Sequence, residues 1–280
     1  MSDLPSSQAG FSEPAIVRRL RAAGCVFAED EARLLLDTAP DQAALAAMVD
    51  RRVDGLPLEH VLGWAEFCGL RIEVDPGVFV PRRRTEFLIQ QAAALGRPGA
   101  LVVDLCCGSG AMGAALASAL GGVELYAADI DPVAVACARR NTAGFGGRVF
   151  AGDLFEPLPA ALRGRIEILL ANVPYVPTEE VGLLPPEARI HEPLVALDGG
   201  ADGLDVLRRV TAAAAYWLAP GGRLLVETSE RQARQAVEAF TAAGLRPRLE
   251  VSDELYATVV VGTGPGAPAD PGAGGSTRVS

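Results

Sequence analysis

From Ala100 onward the chain alternates short apolar runs with longer helix-patterned stretches. This rhythm restricts the fold more than any other feature of the sequence. The apolar runs at 101–105, 123–128, 148–151, 166–171 and 223–227 have the length of buried strands. The stretches 111–120, 132–141, 204–218 and 231–243 read as helices between them. Such alternation builds a mostly parallel sheet with helices on both faces. Two last runs, at 249–251 and 258–261, lie too close for a helical crossover and should pair antiparallel. The expected fold is therefore α/β, doubly wound around a mostly parallel seven-stranded sheet.

The first part of the chain has a different pattern. Ile16, Val17 and Leu20, then Ala32, Leu35 and Leu36, then Leu45, Met48 and Val49 recur at helical spacing, with Pro40-Asp41 marking a new helix start. This suggests a small helical N-terminal domain over 1–56, without chemistry of its own, suited to docking a substrate. Residues 57–81 read as a linking β-hairpin, from the alternation Leu70-Arg71-Ile72-Glu73-Val74 and the turn signals at Gly69 and Asp75-Pro76-Gly77. The sheet domain is expected over 82–262, and the Gly/Pro-rich stretch 263–280 as a disordered tail.

Charge and cysteine usage exclude several classes. The formal net charge is −10, with 25 basic residues against 35 acidic ones, and all 25 are Arg. That balance disfavours general electrostatic binding of nucleic acid. Five cysteines without a C-x-x-C pair indicate neither a disulfide framework nor a zinc site. With no signal-like start and no apolar run of spanning length, the expectation is a soluble cytoplasmic protein, no membrane, and a monomer.

Four strand ends carry candidate chemistry. Asp104-Leu105-Cys106-Cys107-Gly108-Ser109-Gly110 runs from a strand into a glycine turn that opens a helix, where a ligand can approach the backbone. A tight strand-to-helix turn would account for the same residues, and CCGSGAMG lacks the first glycine of the dinucleotide fingerprint. Asp129 ends the next strand, where a carboxylate can accept both hydroxyls of a ribose. Asp131, followed by Pro132, reads as a helix cap instead. Asp153 and Leu154, after the third strand, suit an adenine held by its amino group and an apolar flank. Asn172-Val173-Pro174-Tyr175 follows the fourth strand. Pro174 keeps Val173 extended, so the Val173 carbonyl and the Asn172 side chain can converge on one NH₂ group beside the flat face of Tyr175. An ordinary turn with a gap-filling Tyr is the plain alternative.

Taken together, these marks resemble the HemK/PrmC family of protein-(glutamine-N5) methyltransferases. The resemblance runs from the helical region to about Gly262. It is carried by Phe79-Val80-Pro81-Arg82 with Thr85-Glu86, Asp104-Leu105 with Gly108-Ser109-Gly110, Asp129, Asn172-Val173-Pro174-Tyr175, Glu192-Pro193-Leu194, and Gly199-Gly200 with Asp202-Gly203-Leu204. It departs in three places. Cys106 stands for the first glycine of the family's D-L-G-x-G-x-G, N-V-P-Y for N-P-P-Y, and Pro81-Arg82-Arg83 for P-R-P.

The resemblance implies a class I, Rossmann-like methyltransferase. S-adenosylmethionine would be bound by Cys106, Cys107, Gly108, Ser109, Gly110, Asp129, Asp153, Leu154 and Asn172. It also implies catalysis and substrate binding by Asn172, Val173, Pro174 and Tyr175, no metal, and the Gly-Gly-Gln glutamine of a peptide chain release factor as acceptor. His60 and His191 are isolated and read as structural, so orientation and charge placement would carry the reaction. A different protein glutamine, or the N6 amino group of adenine in DNA or RNA, poses the same geometric problem. An NAD-dependent oxidoreductase and an inert cofactor-binding module are the remaining alternatives.

Overall fold

The computed structural model describes residues 11–266. Four helices come first: α1 (Glu13–Ala22), α2 (Ala28–Thr38), α3 (Gln42–Val53) and the short α4 (Leu58–Leu62). Their apolar stripes bury a shared cluster that includes Ile16, Leu20, Ala32, Leu35, Leu45, Val49 and Val61. The Asp41 carboxylate caps α3 by accepting from the Ala44 amide at 2.8 Å.

The hairpin is narrower than the expected span 57–81. Residues 58–62 are helical, because Leu58, Val61 and Leu62 share one face and pack on the helices before them. Only β1 (Trp64–Phe67) and β2 (Leu70–Glu73) pair, antiparallel. Cys68 and Gly69, with φ of 50° and 73°, give the two-residue turn its required twist.

After a 3₁₀ turn at Arg83–Thr85 come α5 (Glu86–Leu95), β3 (Leu101–Leu105), α6 (Ala111–Ala119), β4 (Glu124–Asp129), α7 (Pro132–Ala143), β5 (Arg148–Ala151) and β6 (Ile166–Ala171). A long connection containing α8 (Pro186–His191) leads to α9 (Asp205–Trp217), β7 (Leu218–Thr228), α10 (Ala233–Ala242), β8 (Arg246–Ser252) and β9 (Ala257–Thr263). The sheet has seven strands in the order β5-β4-β3-β6-β7-β9-β8. The first five are mutually parallel, and β9 runs antiparallel to both β7 and β8. Leu88, Ala92, Ala114 and Leu116 cover one face of the sheet, while Leu207, Val210, Trp217 and Phe240 cover the other.

At two boundaries the difference from expectation has a visible cause. β7 begins at Leu218 rather than 223, because Leu218 already pairs with Ile166 of β6 and the ladder resumes at Arg223 after a bulge in which Gly221 takes φ 76°. The first residues of the tail expected from 263 are ordered: Thr263 belongs to β9 and the Gly264 amide donates to the Gly222 carbonyl at 2.8 Å. Residues 267–280 of that expected tail lie outside the described residues. Among the described residues, no helix is long and apolar enough to cross a membrane.

Candidate active site

β3 and β6 are neighbours, yet the chain continues from β3 to β4 on one side and from β6 to β7 on the other. Their C-terminal ends flank a topological switch point, where open α/β sheets bind ligands. A cavity of about 560 Å³ opens there. Its walls include Cys106, Cys107, Gly108 and Ser109 after β3, Asp129 at the end of β4, Asp153 and Leu154 after β5, and Asn172, Val173, Pro174 and Tyr175 after β6. Of the expected site residues, only Gly110 is not in the lining. Its place is behind the loop: at φ 78° a Cβ would stand 3.0 Å from the Ala138 Cβ of α7, so this glycine lets α6 and α7 approach.

Backbone amides and carboxylates shape one half of the cavity. The two carboxylate oxygens of Asp129 accept from the Gly108 amide at 2.8 Å and the Asp131 amide at 2.9 Å. Burial raises its pKa. Asp131 caps α7 through the Val133 amide at 2.8 Å, so the two neighbouring acids divide the work of loop and helix. Asn141 braces the loop from α7, donating to the carbonyls of Ser109 and Glu73 at 2.8 Å each. Below the loop, fully buried Asp104 accepts from the Gly113 amide at 2.9 Å, and burial pushes its pKa up to about 7.

Cys106 and Leu154 both take positive φ, 53° and 49°, a conformation that costs a side-chain-bearing residue energy and clusters at functional sites. Burial pushes the thiols of Cys106 and Cys107 well up, which leaves them protonated and poor bases. Asp153 faces the cavity with one oxygen already held by Arg209. A carboxylate ending β4, a second after β5, an apolar flank at Leu154 and a glycine loop with accessible backbone form a donor set that fits an adenosine-bearing cofactor.

The other half is held by main-chain packing. The Asn172 side chain makes no hydrogen bond among the described residues, so its amide is free for a ligand. Val173 turns its side chain into the core on the α9 side. The loop 198–204 backs this segment closely. A Cβ on Gly199 would lie 2.7 Å from the Pro174 carbonyl oxygen, and one on Gly203 would lie 2.3 Å from that of Tyr175. The Gln232 side-chain amide donates to the Tyr175 and Asp202 carbonyls at 2.9 and 3.0 Å.

Sequence reasoning missed the group around Tyr175. Glu227, buried at the end of β7, accepts from Thr85 Oγ1 at 2.6 Å, Arg84 Nε at 2.9 Å and the Tyr175 hydroxyl at 3.3 Å. Arg84 also donates to that hydroxyl. Burial, then the Glu227 carboxylate, raise the Tyr175 pKa, so the phenol stays protonated. Arg82 pairs with buried Glu192 of the long connection. The Arg82–Arg84 run therefore ties two walls of the cavity to buried acids. A signal was present: Glu227 ends an apolar run just as Asp129 does. His60 is buried with Nε2 2.8 Å from the Val78 carbonyl, in keeping with a structural role.

Comparison with known proteins adds a family context. Residues 69–183 match the model of the methyltransferase small domain. A release factor glutamine methyltransferase of Mycolicibacterium smegmatis is 41% identical over 241 residues, covering 84% of this chain and 85% of the relative. A 4-amino-L-phenylalanine/4-methylamino-L-phenylalanine methyltransferase of Streptomyces pristinaespiralis is 37% identical over 205 residues, 70% of this chain and 69% of the relative. Among solved structures, a methyltransferase from Pyrococcus furiosus shares the fold, with a TM-score of 0.53 at 16% identity, over 80% of this chain and all of the other.

Proposed function

The chain belongs to the release factor glutamine methyltransferase family, and from that premise we propose that it methylates the side-chain amide nitrogen of the Gly-Gly-Gln glutamine in a peptide chain release factor. S-adenosylmethionine supplies a methyl group made electrophilic by its sulfonium. The observation that carries the reading is the free Asn172 amide on the wall of the same cavity that Asp129 lines. In this reading Asp129 holds the ribose, Asp153 and Leu154 hold the adenine, and the loop 106–110 surrounds the rest of the cofactor.

An amide nitrogen is a poor nucleophile because its lone pair is delocalised into the carbonyl. The Asn172 side-chain oxygen and the Val173 carbonyl accept its two hydrogens and aim the nitrogen at the methyl carbon. Tyr175 covers the amide plane, held by Arg84 and Glu227. As the N–C bond forms and the S–C bond breaks, the nitrogen becomes acidic and its proton leaves to solvent. No resident base is required, and the protonated thiols beside the cavity offer none. Orientation and preorganised acceptors carry the rate.

The helical segment before residue 57 serves as the docking surface for the partner protein, supported by exposed Val26 and Phe27 between α1 and α2. The protein works as a single chain in the cytoplasm, where the five free cysteines meet a reducing environment. The test is incubation with S-adenosylmethionine and release factors carrying Gln or Asn at the target position, with the methyl group located by peptide mass spectrometry. Methylation confined to the Gln protein supports the reading. A methyl group instead on adenine of an oligonucleotide, or on 4-amino-L-phenylalanine, replaces it.

A further inference from the structure

A second cavity, of about 320 Å³, shares a wall with the first. Arg84 and Tyr175 line both, so the two spaces meet at the side chains gathered around Glu227. The far side is formed by Ser229 and Glu230 after β7, and by Asp253 and Tyr256 in the turn between β8 and β9. A space of this size is at the lower end of ligand pockets, which run from about 300 to 1,000 Å³.

Its charge is one-sided. Three carboxylates, Glu227, Glu230 and Asp253, face one guanidinium, that of Arg84. Arg84 and Glu227 already neutralise each other at 2.9 Å. Glu230 and Asp253 are exposed and have no ion-pair partner among the described residues. Thr228, also in the lining, has a buried Oγ1 without a hydrogen-bond partner. Tyr256 is 90% exposed and sits at φ 50°, so the fold gains little burial from a large aromatic residue in a costly backbone conformation.

We propose that this second cavity is a subsite for a basic side chain, arginine or lysine, of the same polypeptide whose glutamine enters the first. The proposal rests on the glutamine reading, because it requires a polypeptide acceptor. The cationic head would donate to Glu230 and Asp253, its stem would lie along Val251, and the ring of Tyr256 would offer a face for a cation–π contact. The backbone would pass Arg84 and Tyr175 on its way between the cavities.

The test uses Gly-Gly-Gln peptides of one length, with a single Arg moved through successive positions on either side of the glutamine and Ala elsewhere. At one position the unaltered protein should show a lower KM than for the all-Ala peptide, with the same kcat. Combining Glu230→Gln with Asp253→Asn should raise KM for that peptide about 3- to 10-fold, the size expected of two exposed carboxylates, and leave the all-Ala peptide unchanged. Glu230→Arg should shift the preference toward a peptide with Glu at the same position. Equal KM for every Arg peptide and the all-Ala peptide overturns the subsite while the glutamine reading stands. Failure to methylate any of these peptides or a whole release factor overturns the glutamine reading, and the subsite with it.

Discussion

At the scale of single residues, the two halves of the cavity make different demands. Asn172 is held by its backbone while its side chain is free, so Asn172→Ala should leave the fold and cofactor affinity close to unchanged. Turnover should fall by ~10²–10³-fold, as when one preorganised polar group is lost. Single-turnover methylation beside calorimetric cofactor binding separates the two effects, and normal turnover would rule out the amide clamp. Asp104 makes a pH prediction. Aspartate in the unfolded chain titrates near ~3.9, whereas burial moves Asp104 up to about 7. Between those values the folded protein binds a proton that the unfolded chain does not, so stability falls as pH rises through this window. The loss approaches ~4 kcal/mol, and Asp104→Asn should remove that slope. Urea unfolding of both proteins at pH 5 and 7.5 measures the part that falls between them, ~3 kcal/mol. Residues at strand ends, such as Asp129 and Asn172, were legible because a polar group following an apolar run stands out. Glu227 obeys the same rule, but its partners Arg84 and Thr85 lie more than a hundred residues away, and no local pattern joins them.

The elements themselves were legible where one periodicity ruled. All seven strands of the sheet follow from apolar runs, and the antiparallel end follows from the short spacing before β9. Boundaries shifted where two patterns met, as at α4, whose helical spacing is hidden in a stretch full of turn residues. What sequence could not show is how α3 meets the long connection. Arg52 of α3 is buried, donating to Glu31 of α2 at 2.6 and 3.2 Å, to the Leu56 carbonyl at 2.9 Å, and to Glu187 of α8 at 2.6 Å. It thereby clasps the N-terminal helices to an element that lines the cavity. Arg52→Met should cost ~3–5 kcal/mol, because Glu31 is left buried and uncompensated. Glu187, which is about half exposed, should cost less than ~1 kcal/mol as Glu187→Gln. Denaturant titration distinguishes a buried clasp from a surface contact by that difference.

For the whole molecule, the question is whether the cofactor half and the N-terminal helices respond as one. The helices bury an apolar cluster of their own, separate from the clusters on either face of the sheet. Every side chain proposed to hold the cofactor comes from the segment between β3 and the end of the Asn172–Tyr175 motif. A ligand that binds only the folded state at a hundred times its Kd stabilises what it binds by ~2.7 kcal/mol. At ~2–4 °C per kcal/mol for a unit of this size, that is a rise of ~5–10 °C in its Tm. Scanning calorimetry with S-adenosylmethionine should therefore resolve a transition that moves by this amount and another, from the helices, that moves less. NAD should move neither. Because Arg52–Glu187 joins the two parts, Glu187→Gln should widen the gap between the transitions while leaving the cofactor shift intact. A single transition that moves as a whole in both proteins would mean that the helices and the sheet share one cooperative unit, and that the contact through Glu187 is not what couples them.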